Sequence, residues 1–239
     1  MDSPIVGRAA TVVVLRDSDA GLEVLLLERP VAGSFGGAWA FPGGRVDPED
    51  SLPGDPPDPR DDAHDGDAAS GAPVHAPSAV RRAAVRETFE ETGLILRASG
   101  LVELSRWVPP RQVPKRLVTW FFLAEDPGGE LALSADEHVD FAWLRPEVAL
   151  DRHAAGEMVL FPPTWVTLEG LLGAATVADA LSGVPVPAAR FASFQLLDSE
   201  GKIEAVLWDG DSQYGDPAAA GTARHRLTMS RLPWVYEKS

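Results

Sequence analysis

The segment 83–94, AAVRETFEETGL, constrains this chain more than any other feature. Its three carboxylates, Glu87, Glu90 and Glu91, stand at spacings i, i+3 and i+4, which places them on one face of an α-helix. Like charges at these spacings repel one another. A helix that binds divalent cations explains the cluster, because hard cations such as Mg²⁺ prefer oxygen ligands. The alternative is an acidic helix face that is exposed to solvent.

Composition excludes several other kinds of protein. The 239 residues, of which 45% are hydrophobic, suffice for one sizeable core with additions, or for two small domains at most. Cys is absent, which rules out a disulfide framework, a thiol nucleophile and a Cys-ligated zinc site. The net charge of −15 argues against nucleic acid as a partner. No signal peptide and no membrane-spanning run is evident, so we expect a cytoplasmic protein without a membrane partner.

The acidic charge is concentrated in one part of the chain. Residues 47–67 hold nine acids against one base, Arg60, which is more than half of the net charge. Residues 51–78 are rich in Asp, Pro, Gly and Ala, and contain only two large aliphatic side chains, Leu52 and Val74. Such a composition does not compensate for the entropy lost on ordering. It predicts a mobile surface insertion that the fold does not need.

Hydrophobic patterning around the insertion predicts an α/β architecture. The runs Val12–Leu15 and Leu25–Leu27 are continuously apolar, which is typical of strands covered on both faces. Further strands are predicted at 101–108, 117–124 and 138–144, with a short one near Leu131. Helices are predicted at 146–155, 165–174 and 177–181, and a hairpin at 194–208.

The carboxylate helix belongs to a longer motif. Gly44 is followed after five residues by Asp50, and later by Arg86-Glu87-Thr88-Phe89-Glu90-Glu91-Thr92-Gly93-Leu94. This resembles the Nudix box, G-x5-E-x7-R-E-U-x-E-E-x-G-U, where U is a bulky aliphatic residue. The preceding W-x-F-P-G-G at 39–44 is also typical of that family.

The chain departs from the box in three ways. Asp50 stands where the family has Glu, and Glu49 competes for the same place. Thr88 replaces the usual aliphatic residue. Residues 51–85 number 35 where the box has seven, so that the acidic insertion splits the motif.

The resemblance implies an α/β/α Nudix sandwich with a mixed sheet over residues 1–150, followed by a C-terminal helical extension, 151–239, packed on the same domain. It also implies hydrolysis of a small-molecule diphosphate with Mg²⁺ or Mn²⁺, and a homodimer, since family members are often dimers. The segments W-V-P-P at 107–110, K-R at 115–116 and P-P-T at 162–164 are similar to the coenzyme A diphosphatases of the peroxisomal type and their bacterial relatives. Coenzyme A or acyl-coenzyme A, ADP-ribose and dinucleotide polyphosphates are the candidate substrates.

The same resemblance assigns roles to individual residues. Glu87, Glu90 and Glu91 would hold the cations, and Gly43 or Gly44 would offer a backbone carbonyl. Arg86 would orient one of the carboxylates.

Residues outside the helix have less definite roles. Glu137 is the candidate general base or extra metal ligand, with Asp136 and Glu130 as rivals. The basic residues of the loop before 117 would contact substrate phosphates, and these are Arg106, Arg111, Lys115 and Arg116. Charge balance against the acidic surface is the alternative for them. The alternative for the whole chain is a non-catalytic, Nudix-derived nucleotide-binding or regulatory module.

Overall fold

The computed structural model describes residues 4–31, 36–55, 75–134 and 138–239. Its centre is an eight-stranded mixed sheet with the order β3-β2-β1-β6-β5-β8, in which β4 also pairs with β1 and β7 with β2. The pairs β1–β6 and β5–β8 are parallel, and the other pairs are antiparallel. The strands are β1 (Ile5–Ser18), β2 (Gly21–Glu28), β3 (Trp39–Ala40), β4 (Gly43–Arg45), β5 (Val102–Val108), β6 (Arg116–Glu125), β7 (Asp140–Leu144) and β8 (Ala189–Ala192).

Four α-helices of the described residues cover this sheet, and the sandwich predicted from the sequence is confirmed. They are α1 (Ser78–Thr92), α2 (Pro146–Ala154), α3 (Pro162–Gly170) and α4 (Val177–Ser182). Along β1 the side chains alternate between two cores, because neighbouring residues of a strand point to opposite faces. Val12 and Val14 pack with α1, whereas Val13 and Leu15 pack with side chains of α3 and the C-terminal region. Both faces of β1 are therefore buried, as its continuous apolar run predicts.

The carboxylate helix, α1, packs through a stripe of small and aliphatic side chains. Val80, Ala83 and Ala84 are fully buried against the sheet. Thr88, which stands where an aliphatic residue is expected, is also fully buried, and its hydroxyl donates to the Ala84 carbonyl at 2.7 Å. This bond satisfies the buried hydroxyl, so the helix accepts Thr at a core position. Gly93 ends the helix with a φ of 75°, a left-handed conformation that favours glycine.

The C-terminal region is more than the helical extension predicted. After α4 it forms a second, antiparallel sheet with the order β12-β11-β10-β9, made of β9 (Phe194–Leu197), β10 (Ile203–Leu207), β11 (His225–Thr228) and β12 (Val235–Lys238). The hairpin at 194–208 is confirmed, since β9 and β10 pair. Two strands that the sequence did not predict, β11 and β12, are only four residues long, which is too short to show a clear alternation of apolar and polar residues.

Side chains of the C-terminal region join the main core. Trp107 of β5 stacks on Phe191 of β8 with ring centroids 4.1 Å apart, and Trp208 meets both rings edge-on. Trp165 and Leu227 belong to the same buried cluster. A domain boundary at residue 150 stays a prediction. One smaller expectation was wrong, since residues 131–134 form no strand.

The described ends of the acidic insertion are bonded to one side chain of α1 and one of β5. Asp55 forms an ion pair with Arg82. At the other end, the Ala76 amide donates to Glu103 at 3.1 Å, and Glu103 also pairs with Arg81 at 2.6 Å. Residues 56–74 lie outside the described part of the chain. One end is thus bonded to Arg82, and the other to Glu103, which pairs with the adjacent helix residue Arg81, so we expect a short linker to join them.

We therefore expect the insertion to be dispensable. Replacing residues 57–73 by a four-residue Gly-Ser linker should change the free energy of unfolding by about 1 kcal/mol, the difference in loop-closure entropy. The melting temperature should then shift by no more than about 4 °C. Thermal unfolding followed by circular dichroism measures this. A variant that is unfolded on purification would show that the segment is part of the fold.

Candidate active site

Arg86 forms hydrogen bonds with three of the four acidic side chains of the motif. Its Nε and Nη2 donate to the two carboxylate oxygens of Asp50 at 3.1 and 2.8 Å. Its Nη1 donates to Glu87 and Glu90, each at 3.0 Å, and Nη2 also reaches the Arg45 carbonyl at 3.0 Å. The hydrogen bond to Asp50 raises the pKa of Arg86 above its ordinary value. Arg86 therefore stays charged and ties the loop before the insertion to the helix after it.

Asp50 rather than Glu49 occupies the first acidic position of the motif. Asp50 is 5% exposed and accepts both the guanidinium of Arg86 and the Asp47 amide, whereas Glu49 is exposed to solvent. Burial by itself works to raise the pKa of Asp50, but the Arg86 and Asp47 hydrogen bonds outweigh it and lower the pKa below its ordinary value. The shorter carboxylate of Asp50 thus binds Arg86 through two parallel hydrogen bonds, the bidentate geometry to which a guanidinium is suited.

The Glu87 carboxylate lies against Gly44 of β4. A Cβ on Gly44 would overlap the Glu87 carboxylate, with Oε1 only 2.7 Å away. Burial raises the pKa of Glu87, Arg86 opposes this, and the nearby charges of Glu91 and Glu90 raise it further. The raised pKa of Glu87 thus reflects in part the repulsion between neighbouring carboxylates that their spacing in the sequence predicts. A bound cation would relieve it.

Glu91 is held differently from its two neighbours. It is 4% exposed, and its Oε2 accepts the Gly43 amide at 2.7 Å. Within the described residues it forms no ion pair with Arg86; its Oε1 instead lies 3.0 Å from His138 Nε2. Glu90, by contrast, is about half exposed. The three carboxylates therefore differ in exposure: Glu91 is buried, Glu87 is mostly buried, and Glu90 is about half exposed.

His138 is a site residue that sequence reasoning missed. The five His residues show no metal-ligand spacing, and 46 positions separate His138 from Glu91. Its nearness to Glu137 in the sequence was the one available signal. The predicted base Glu137 and its rival Asp136 lie outside the described residues. On either side of that gap, the Ser134 amide donates to the Glu91 carbonyl at 3.2 Å and His138 faces the Glu91 carboxylate. Glu130, the other rival, is exposed.

The basic cluster is divided by the structure. Arg111 and Lys115 are exposed on the loop between β5 and β6. Arg116 is 6% exposed at the start of β6, and its Nε donates to the Pro109 carbonyl at 3.0 Å. The Arg106 guanidinium lies 5.0 Å above the Trp120 ring, a cation–π arrangement. Arg111 and Lys115 thus have exposed side chains, whereas Arg106 and Arg116 contact other parts of the fold.

The donor set fits a divalent cation chemically, although the side chains are turned to other partners. In the described part of the chain no three His, Asp or Glu residues converge as a ready metal site. Glu87 and Glu90 share Arg86, while Glu91 turns to Gly43. The donors are all oxygen atoms, which suits a hard cation. The absence of a Cβ at Gly44 leaves a space, here called the cradle, in which the Glu87 carboxylate lies.

Comparisons with known proteins agree with the fold and the motif. Residues 74–162 match the family model of the NUDIX domain. The crystal structure of a NUDIX hydrolase from Alicyclobacillus acidocaldarius is 26% identical, with 75% of this chain and 96% of that chain covered and a TM-score of 0.59. No curated protein sequence matches.

Two further solved structures are less similar. A MutT NUDIX hydrolase from Burkholderia pseudomallei is 23% identical, covers 68% of this chain and 95% of that chain, and has a TM-score of 0.45. The NUDIX domain of NrtR from Shewanella oneidensis, solved with ADP ribose, is 16% identical, covers 71% and 86%, and has a TM-score of 0.48. Among the described residues, no helix is long and apolar enough to cross a membrane.

Proposed function

Because this chain belongs to the Nudix hydrolases, pyrophosphatases that act on phosphorus-containing anhydrides, we propose that it hydrolyses a nucleoside-diphosphate-linked small molecule with Mg²⁺ or Mn²⁺. The observation that carries the proposal is that the acidic side chains of the split motif lie together: Arg86 binds Asp50, Glu87 and Glu90, while Glu87 lies against Gly44 and Glu91 accepts the Gly43 amide. When bound, a divalent cation neutralises phosphate charge and makes water a better nucleophile near neutral pH.

The chain's own residues position the reaction. Glu87, Glu90 and Glu91 are the proposed ligands, with a carbonyl of Gly43 or Gly44 in addition. Arg86 holds Glu87 and Glu90 by charged hydrogen bonds and is itself held by Asp50. Phosphoryl transfer asks little covalent work of the protein, so fixed charges and positions matter most.

Glu137 remains the proposed general base. What supports it is its place in the sequence, directly before His138, whose Nε2 lies 3.0 Å from the Glu91 carboxylate. Arg111, Lys115 and Arg116 remain the proposed contacts for substrate phosphates. The exposure of Arg111 and Lys115 favours those two, whereas Arg116 would need to leave the Pro109 carbonyl.

Gly44→Ala tests the cradle for Glu87. The new Cβ should push away the end of a flexible side chain, so the free energy of unfolding should fall by less than about 1 kcal/mol. The affinity for Mn²⁺ should fall at least about 10-fold, because a ligand loses its place. Titration followed by electron paramagnetic resonance of free Mn²⁺ measures this affinity. Gly100→Ala is the matched control, since a Cβ there meets nothing within 4 Å. Unchanged Mn²⁺ affinity in Gly44→Ala would exclude Glu87 as a ligand.

A substrate panel tests the proposed activity. Coenzyme A, acyl-coenzyme A, ADP-ribose and dinucleotide polyphosphates would be incubated with Mg²⁺ or Mn²⁺, and the products identified by mass spectrometry. We expect cleavage of a diphosphate in at least one compound and none after removal of the metal with a chelator. Tight binding of a nucleotide with no product under either metal would instead favour a non-catalytic binding module. A cytoplasmic location and a homodimer are further parts of the proposal.

A further inference from the structure

His138 is a buried polar side chain that the activity proposed above does not use. The residue is 5% exposed, and neither ring nitrogen makes an aligned hydrogen bond within the described residues. Burying a polar group without a partner is unfavourable. The ring nevertheless directs Nε2 to within 3.0 Å of the Glu91 Oε1.

The contact completes the surroundings of Glu91. One carboxylate oxygen, Oε2, already accepts the Gly43 amide at 2.7 Å. The other, Oε1, faces His138. Glu87 and Glu90 are oriented by Arg86, but Glu91 forms no ion pair with it among the described residues, so a different side chain must orient this carboxylate.

The backbone places the imidazole where this is needed. The Ser134 amide donates to the carbonyl of Glu91 itself at 3.2 Å, and the His138 amide donates to the Ser134 carbonyl at 3.0 Å. One residue further on, the Val139 amide donates to the Glu28 carbonyl of β2 at 3.0 Å. The start of this segment is tied to the end of α1, and its far side is tied to the sheet. The position of His138 is therefore built into the backbone hydrogen bonds on either side.

We propose that His138 is a positioning residue that fixes the rotamer of Glu91 for cation binding by donating from Nε2 to Oε1. The proposal rests on the proposed function in one respect, that Glu91 binds a cation. Residues that orient a metal ligand typically contribute 10–100-fold to metal affinity or activity. His138 does not contact substrate in this role.

Substitutions at His138 separate positioning from packing. His138→Leu keeps the apolar bulk and removes the donor, and it should weaken Mn²⁺ binding at least about 10-fold. His138→Gln puts an amide N–H near the place of Nε2 and should restore affinity to within about 3-fold of the wild type. His138→Asn ends one atom short of that place and should not restore it.

A buried histidine elsewhere provides the control. His153 is also 5% exposed, bonds to the Met158 carbonyl at 3.0 Å, and lies on α2, across the sheet from α1. His153→Leu should lower the melting temperature without changing Mn²⁺ affinity. Affinities would be measured on the full chain without substrate, by electron paramagnetic resonance of free Mn²⁺.

A double variant then tests whether His138 acts through Glu91. Glu91→Gln should weaken Mn²⁺ binding, and adding His138→Leu to it should weaken binding no further. Wild-type affinity in His138→Leu, equal losses in His138→Leu and His153→Leu, or additive losses in the double variant would overturn the proposal. A chain with this pattern of Mn²⁺ binding that cleaves no diphosphate would refute the proposed function and leave the role of His138 standing. A chain that binds no Mn²⁺ at all would refute both.

Discussion

Glu91→Gln should lower the rate of diphosphate hydrolysis by about 10²–10³-fold, the usual cost of removing a fixed charge that acts on the transition state. Glutamine has the same shape, and its carbonyl oxygen can still accept the Gly43 amide that the carboxylate accepts at 2.7 Å. The fold should therefore be kept. The negative charge is lost, and with it the attraction for a cation.

The measurement compares kcat and the melting temperature of purified proteins on the best substrate of the panel. Glu147→Gln is the control, because that residue is exposed on α2 and its one ion pair among the described residues is with Arg145, at 3.1 Å. Exposed pairs of this kind contribute little, so activity and stability should both be unchanged. Near wild-type hydrolysis by Glu91→Gln would remove Glu91 from the metal site. A large fall in its melting temperature would show that the charge is structural.

Local patterns were enough to predict the elements that carry the site. The stripe Val80, Ala83, Ala84 repeats at helical spacing, and all three side chains are fully buried. The apolar runs of β1 and β2 predict burial on both faces, and both faces are covered. These signals lie within a few residues of one another, so a periodic reading captures them.

Long-range contacts could not be predicted in the same way. The partners of Arg86 include Asp50, 36 residues away across the insertion, and His138 meets Glu91 only because two backbone segments converge. The second sheet was missed because β11 and β12 are short and gain their burial from Trp208 and the main core. A periodic sequence pattern predicts whether a side chain faces the core or the solvent, but it does not predict which distant residue that side chain contacts.

The second sheet contains a buried ion pair whose loss should have the largest effect on stability. The Asp211 side chain has no exposure; its two oxygens accept Arg226 Nε at 2.7 Å and Nη2 at 2.5 Å. The His225 and Gln213 amides donate to the same carboxylate at 3.0 and 2.9 Å. Asp211→Ala leaves the Arg226 charge buried without its partner. The free energy of unfolding should fall by about 3–5 kcal/mol, as measured by urea denaturation at pH 7.

Glu200→Gln is the matched control in the same sheet. Its pair with Lys202, at 2.7 Å, is exposed, and its loss should cost less than about 0.5 kcal/mol. The double variant Asp211→Ala/Arg226→Met should recover part of the loss, because no charge then remains buried. A cost for Asp211→Ala no larger than that of Glu200→Gln would show that the pair is not structural.

The same pair predicts a dependence on acid. Burial works to raise the pKa of Asp211, but hydrogen bonds from Arg226 and from the two amides outweigh it and lower the pKa to about 2 from an ordinary 3.8. A carboxyl group whose pKa is lower in the folded state contributes stability that is complete well above pH 3.8 and is lost as the pH falls toward 2. The contribution is about 2 kcal/mol. Between pH 5 and pH 2.5 the wild type should therefore lose more unfolding free energy than Asp211→Ala/Arg226→Met. Equal losses would mean that Asp211 ionises alike in both states, and that acid acts on this protein through other carboxylates.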